Sequence, residues 1–247
     1  MLSLILLTFL FILGHLLHSL GFVLRYSGQL FDGIYVAHSV DKAFAFISGF
    51  SIIGFFTIAA FLMESGSEIT LPLSAIFTAN LIISFIIFLT AVYYNQVVVF
   101  LIKITSSLFF LNKILNIDVE ATKQVAKDIS NIQYQNIDSF KIKYKSIFFA
   151  NFISYMMLAS GFSCSFYLMH KYPEYRLTIS QVAGVIHAFG TFVVIFYLNP
   201  ILSLFFDQKT SEENLQNLIA TSILGRSLGF LMAGLLAAFF YVNLQYQ

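Results

Sequence analysis

Six long apolar stretches dominate this chain, and no water-soluble fold can bury that much continuous hydrocarbon. They run from Leu2 to Leu24, Ala43 to Met63, Leu71 to Tyr94, Ile147 to Leu168, Ile179 to Phe206 and Leu218 to Val242. Roughly 20 apolar residues in a helix suffice to cross the hydrocarbon core of a bilayer. Composition agrees: of 247 residues, 59% are apolar and 10% charged. Soluble chains carry about 45–50% apolar and about 25% charged residues. So few charges cannot cover a water-facing surface, so lipid is the solvent for most of it. The expected fold is an all-α polytopic membrane helical bundle of about six transmembrane helices with one cytoplasmic linker.

The N-terminal segment MLSLILLTFLFILG has no basic region and no small-residue cleavage site before His15 and His18, so it is expected to stay as the first helix. The whole chain, 1–247, reads as one membrane domain. It divides into an N-terminal three-helix half (1–111), a linker (112–145) and a C-terminal three-helix half (146–247). The second helix is expected to start early, near Asp32. The third is expected to continue past Asn95 through VVVFLIKITSSLFFL, on or re-entering the membrane. In the linker, IDVEATKQVAKDISNI reads as a helix with Asp118 as N-cap. The following FKIKYK alternates lysine with apolar residues, as a headgroup-surface segment does, although a solvated linker accounts for it as well.

Basic loops stay in the cytoplasm. With the N-terminus outside, Arg25, Lys42, Lys103, Lys113, Lys123, Lys127, Lys141, Lys143, Lys145 and Lys209 fall inside, ten of the 13 lysines and arginines. Lys171 and Arg176 fall outside, and Arg226 lies within the sixth helix. Both termini are therefore expected outside. Three crossings per half would invert the second half relative to the first, so a 3+3 inverted repeat of the kind many transporters use is an open expectation.

Polar residues within a bilayer face protein or a water-filled cavity, because hydrocarbon cannot solvate them. His15, His18, Ser19, Phe22 and Arg25 share a face of the first helix, and His38, Asp41, Lys42, Ala45, Ser48 and Gly49 share one of the second. The third carries Asn80, Ser84, Ala91 and Asn95; the fifth carries Ser180, Gly184, His187 and Thr191. Four polar inner faces point to an internal cavity, with His15, His18, Asp41, His187, Asn80 and Ser180 as its polar or coupling candidates. Small and hydroxyl residues also serve as packing glue, so plain packing is the competing account.

Arg226 is the most informative residue. It lies about 12 Å into the last apolar stretch at 1.5 Å per residue, where an arginine costs several kcal/mol on insertion scales. It either snorkels to the interface or waits in a cavity for a phosphate or pyrophosphate, which a guanidinium holds bidentately. On the same helix, Thr221, Gly225, Gly229, Ala233 and Ala237 form a small-residue stripe. Such a stripe allows close approach either within the chain or to a second protomer, a homo-oligomer through the Gly225/Gly229/Ala233 face.

No metal site or cofactor is expected: the five histidines lack a carboxylate cluster and H-E-x-x-H is absent. Histidine suits proton-linked movement or a hydrogen-bonded interior. The single cysteine, Cys164, forms no disulfide framework. Nucleophile-elbow, Walker and dinucleotide motifs are missing, and the serines of ASGFSC have no evident base, so enzyme chemistry has no support.

The stretch YPEYRLTISQVAGVIHAFGTFVVIFYLNPILSLFFD, Tyr172 to Asp207, resembles the Amj-type lipid II flippase family. The resemblance rests on Pro173, Glu174, Tyr175 and Arg176, then Ser180 and Gly184, Asn199 and Pro200, and Ser203 and Asp207. Gly225, Arg226 and Gly229 resemble the family's last helix, and His15, Phe22, Arg25, Gly28 and Ser39 its N-terminal pattern. His18 stands where that pattern has an acidic residue, and FISGFS lacks its arginine. The resemblance implies a multi-pass protein of the bacterial inner membrane that exports undecaprenyl-pyrophosphate-linked peptidoglycan precursor, lipid II. Its partners would be that lipid and the membrane, and no nucleic acid. A pyrophosphate carrier needs fixed cations, and Arg226, Arg25, Lys42 and Arg176 are the candidates. Carriers of another polyprenyl-linked glycan or small solute, and a non-transporting envelope assembly protein, are the alternatives.

Overall fold

The computed structural model describes residues 1–30, 34–65, 70–94, 96–97, 100–101, 144–207 and 212–246. Among them the structure is helical and contains no strand: α1 (Leu2–Leu30), α2 (Ile34–Glu64), α3 (Leu71–Val92), α4 (Lys145–Lys171), α5 (Arg176–Val193), α6 (Asn199–Asp207) and α7 (Glu212–Gln245). Six spans are long and apolar enough to cross a membrane, Leu2–Leu24, His38–Glu64, Leu71–Val92, Lys145–Lys171, Pro173–Leu204 and Asn217–Gln245. The second helix begins early, as expected. Asn95 and the linker with Asp118, up to Lys143 of FKIKYK, lie outside the described residues, while Tyr144 and Lys145 of that stretch lead into α4.

Local chemistry sets the helix ends. Pro72 opens α3, where a missing N–H costs nothing. At the end of α4, His170 and Lys171 face the negative end of the helix dipole, and Pro173 prevents continuation. A single 3-10 turn, Pro173–Tyr175, reverses the chain into α5. Arg176 then reaches back, its Nε 3.5 Å from the Met169 carbonyl oxygen at the end of α4. The P-E-Y-R sequence is thus the joint between two antiparallel helices.

The fifth span is continuous from α5 to α6 through one π-helical turn, Val194–Leu198. Pro200 explains it. Proline has no N–H to donate and its ring collides with the carbonyl four residues back. The wider turn relieves that conflict, and Asn199 N–H bonds to Val194 O instead.

Packing places the helices in the order α2, α1, α3, α7, α4, α5. The order reads the same from either end when α1, α2 and α3 are exchanged for α4, α5 and α7. At its centre Ser84 of α3 and Ser227 of α7 make a reciprocal pair. Ser84 Oγ donates to the Ser227 carbonyl at 2.8 Å, and Ser227 Oγ to the Ser84 carbonyl at 2.9 Å.

The small-residue stripe of α7 meets a partner within the chain. A methyl group added at Gly225 would lie 2.5 Å from the Phe148 carbonyl oxygen, and one at Gly229 2.7 Å from that of Phe152. Ala233 and Ala237 are fully buried. The Gly225/Gly229/Ala233 face therefore packs within this bundle, Gly225 and Gly229 against α4.

Candidate functional site

Between the two halves lies a cavity of about 600 Å³, within the range of small-ligand sites. His15, His18 and Phe22 of α1 and Asp41, Lys42, Ala45, Ser48 and Gly49 of α2 line one side. Tyr155 and Leu158 of α4, Arg226 of α7, and His187, Thr191, Val194, Ile195 and Asn199 of the fifth span line the other. The π-helical turn therefore forms part of the wall. Helix α2 packs on α1, and α5 on α4, so these two outer helices flank the cavity from opposite sides.

Arg226 is 2% exposed and fixed on three sides. Its Nε donates to Asn151 Oδ1 at 3.1 Å. Its Cζ lies 3.3 Å from the centroid of the Phe22 ring and 4.5 Å from that of Tyr155. A desolvated cation over an aromatic face gains about 2 kcal/mol, part of what taking the charge from water costs. The orientation is set one step further back. Asn151 Nδ2 donates to the Ile147 carbonyl at 2.9 Å, which turns Oδ1 toward Arg226. Gly225 allows this: with no side chain beside Phe148 O and Asn151 Cβ, α7 comes close enough to α4 for the contact.

The cavity has two chemically different ends. Asp41 lies against Gly21, and Arg226 over Phe22, so both sit at the same level of α1. Lys42 is exposed beside them. Toward the start of α1 come His18, 6.2 Å from Tyr155 by ring centroids, and then His15, 4.4 Å from Phe11 and 5.4 Å from Phe230. His187 joins this end from α5, 6.5 Å from Phe162. The step from Phe22 to His15 spans seven residues, about 10 Å of helix. Beyond the histidines, rings from both halves fill the interior: Phe11 and Phe55 meet Phe162 at 6.2 and 5.9 Å, and Phe55 meets Phe166 at 6.1 Å.

The cavity therefore brings together Arg226, Lys42, His15, His18, Asp41 and His187. It does not include Arg176, which caps the end of α4. Ser180 lies away from it too, its hydroxyl donating to the Leu177 carbonyl within its own helix. Asn80 is fully buried between α3 and α7, where a methyl group on Gly234 would lie 3.1 Å from its Cβ. The side chain of Arg25 lies outside the described residues.

The model of the Amj (Alternate to MurJ) family matches residues 10–242. The chain belongs to the Amj family. No curated protein and no solved structure matches it. With its six apolar spans, this Amj-family protein is a multi-pass protein of the bacterial inner membrane. Asn151, Tyr155 and Asn199 are site residues that helical periodicity alone does not single out. Asn151 is marked only by being an amide in an otherwise apolar helix. Tyr155 has the character of ordinary core, and Asn199 that of a residue before a helix-breaking proline.

Proposed function

We propose that this Amj-family protein is a flippase that carries lipid II, the undecaprenyl-pyrophosphate-linked peptidoglycan precursor, from the inner to the outer leaflet of the cytoplasmic membrane. One observation carries the reading: a guanidinium at the wall of an intramembrane cavity, held in a single orientation by Asn151 and Phe22. Such a fork suits a pyrophosphate, because it can hold two oxygens at once and keeps its charge at any physiological pH. Lys42 adds a second cation at the same end.

The polar head needs a route shielded from hydrocarbon, and within a mostly apolar lining Asp41, Lys42, Arg226 and the histidines supply its polar contacts. The polyprenyl tail stays in lipid and needs a lateral opening, which we place between α2 and α5, the two ends of the packing order. With both termini outside, the Asp41/Lys42 end opens toward the cytoplasmic leaflet, from which the substrate is loaded.

The test is genetic and biochemical together. A bacterium depleted of its other lipid II flippases should grow when this chain is expressed, and lipid II should become accessible at its outer surface. The purified protein in liposomes should move lipid II between leaflets. A protein that is folded in the membrane, restores no growth and moves no lipid II in liposomes overturns the proposal.

A further inference from the structure

Among the described residues, the charged side chains that line the cavity, Asp41, Lys42 and Arg226, all stand at the Phe22 level. The far end is different. His15 of α1 and His187 of α5 approach it from the two halves, with Leu158 beside them. His15 is 6% exposed, and its Nε2 has no hydrogen-bond partner among the described residues. The same holds for Nδ1 of His187 and for the hydroxyl of Ser19, one helical turn from His15. Burying a polar atom without a partner costs about 1–3 kcal/mol. His15 and His187 both line the cavity, and two such atoms facing it from the two halves are an unfavourable way to fill a membrane core unless something else satisfies them.

The chemistry of that end selects the kind of group. Neither imidazole carries a fixed charge, and the open nitrogen of each, Nε2 of His15 and Nδ1 of His187, can donate or accept according to its tautomer. Hydroxyl and amide groups answer both needs, whereas a second phosphate needs donors and positive charge. Distance selects the part of the molecule. About 10 Å of helix separates the Arg226 level from His15, an interval that a pyrophosphate and one pyranose ring fill. Tyr155 stands between the two levels and presents an aromatic wall on the way.

We infer that His15 and His187 form a hydrogen-bonding subsite for the sugar attached directly to the pyrophosphate, so that this end of the cavity reads the head group and the Arg226 end reads the phosphates. The inference rests on the reading of Arg226 given above. It makes these histidines specificity residues: they separate a sugar-bearing polyprenyl pyrophosphate from a bare one.

The experiment measures binding of two probes to the purified full-length protein in nanodiscs: undecaprenyl pyrophosphate, and the same lipid carrying one N-acetylated sugar. The readout is the ratio of the two Kd values. The native protein should prefer the sugar-bearing probe by about tenfold, the scale of one to two hydrogen bonds. In His187→Leu that ratio should fall close to one, and in His15→Gln, which keeps a polar group at a fully packed position, it should fall part of the way. Melting temperatures taken on the same samples identify any variant that has not folded, and His187, only half-buried, is the variant expected to fold. A folded His187→Leu protein with the native ratio overturns the subsite, as does a native ratio of one, and both leave the pyrophosphate reading standing. A native protein that binds neither probe overturns that reading and the subsite with it.

Discussion

In the C-terminal half, Gly161, Gly190, Gly225 and Gly229 rest on backbone. A methyl group added at Gly161 would lie 2.9 Å from the Ala183 carbonyl oxygen, and one at Gly190 2.7 Å from that of Ser154. Gly225 and Gly229 meet the carbonyls of Phe148 and Phe152 in the same way. In the N-terminal half, the equivalent crossings rest on side chains. A methyl group at Gly14 would lie 2.7 Å from the end of Ile52, with the Ser48 carbonyl farther off at 3.4 Å, and one at Gly21 2.6 Å from Asp41 Oδ1. The two halves share an order of packing but differ in what touches. Carbonyls on a helix cannot move without moving the helix, whereas the Ile52 side chain can shift on its own. The α4–α5–α7 half is therefore the rigid frame that fixes Arg226, and α2 is the wall of the cavity with freedom to shift.

This contrast sets a graded series of stability changes. The largest is expected for Gly229→Leu. Its side chain has nowhere to go between Phe152 O, Met156 N and Tyr155 Cβ, all within 3.0 Å of the new methyl position. Overpacking costs typically ~1–3 kcal/mol and occasionally more, and with two backbone atoms in the way the upper end or loss of folding is expected. Thermal unfolding in detergent reads this directly. Gly49→Leu, where nothing lies within 4 Å, is the control and should melt as the native protein does.

Next come matched alanine substitutions. Gly225→Ala and Gly190→Ala press on carbonyls, and each should lower stability by about 1–2 kcal/mol. Gly14→Ala presses on Cγ1 and Cδ1 of Ile52 and should cost less than either, because a side chain can repack where a backbone cannot. Equal losses on the two sides would remove the distinction between a rigid frame and a yielding wall.

The smallest effect is expected where the halves meet. Ser84→Ala or Ser227→Ala each removes one of the reciprocal hydrogen bonds, and such bonds between membrane helices average about 0.6 kcal/mol. A double-mutant cycle on the pair should show coupling of that order. Coupling near zero would mean that the pair does not hold the two halves together.

Much of the frame was legible in the chain. Apolar length gave the six spans because hydrocarbon imposes that length on any crossing helix. Helical periodicity placed His15, His18, Asp41, Lys42 and His187 on inner faces, and all five line the cavity. The same periodicity misled at Asn80, because it separates inside from lipid but not one inside from another: α3 turns that face to α7, where Ser84 finds Ser227 and Asn80 meets Gly234. Ser180 and Arg176 shared a helix with His187 but lie toward its start, where the chain is turning rather than lining the cavity. The small-residue stripe announced close packing; only the fold shows that α4 occupies it. Asn151 was hidden for a related reason. An amide in an apolar helix can serve any neighbour, and its role here depends on α7 arriving at one particular height.

On the function proposed above, Arg226, held by Asn151 and Phe22, binds the pyrophosphate of the lipid that the protein moves. The direct measurement is the rate of lipid II transfer in liposomes per folded molecule, for Arg226→Gln and Arg226→Lys beside the native chain, with melting temperature on the same preparations. A charged hydrogen bond at such a site is worth about 1.5–3 kcal/mol, or roughly one to two orders of magnitude in affinity. Arg226→Gln keeps a polar amide near the position of Nε but loses the charge and the fork, and its transfer should fall at least about tenfold. Arg226→Lys keeps the charge without the fork and should retain only part of the rate. A folded Arg226→Gln protein that transfers lipid II at the native rate would show that this guanidinium takes no part in transport.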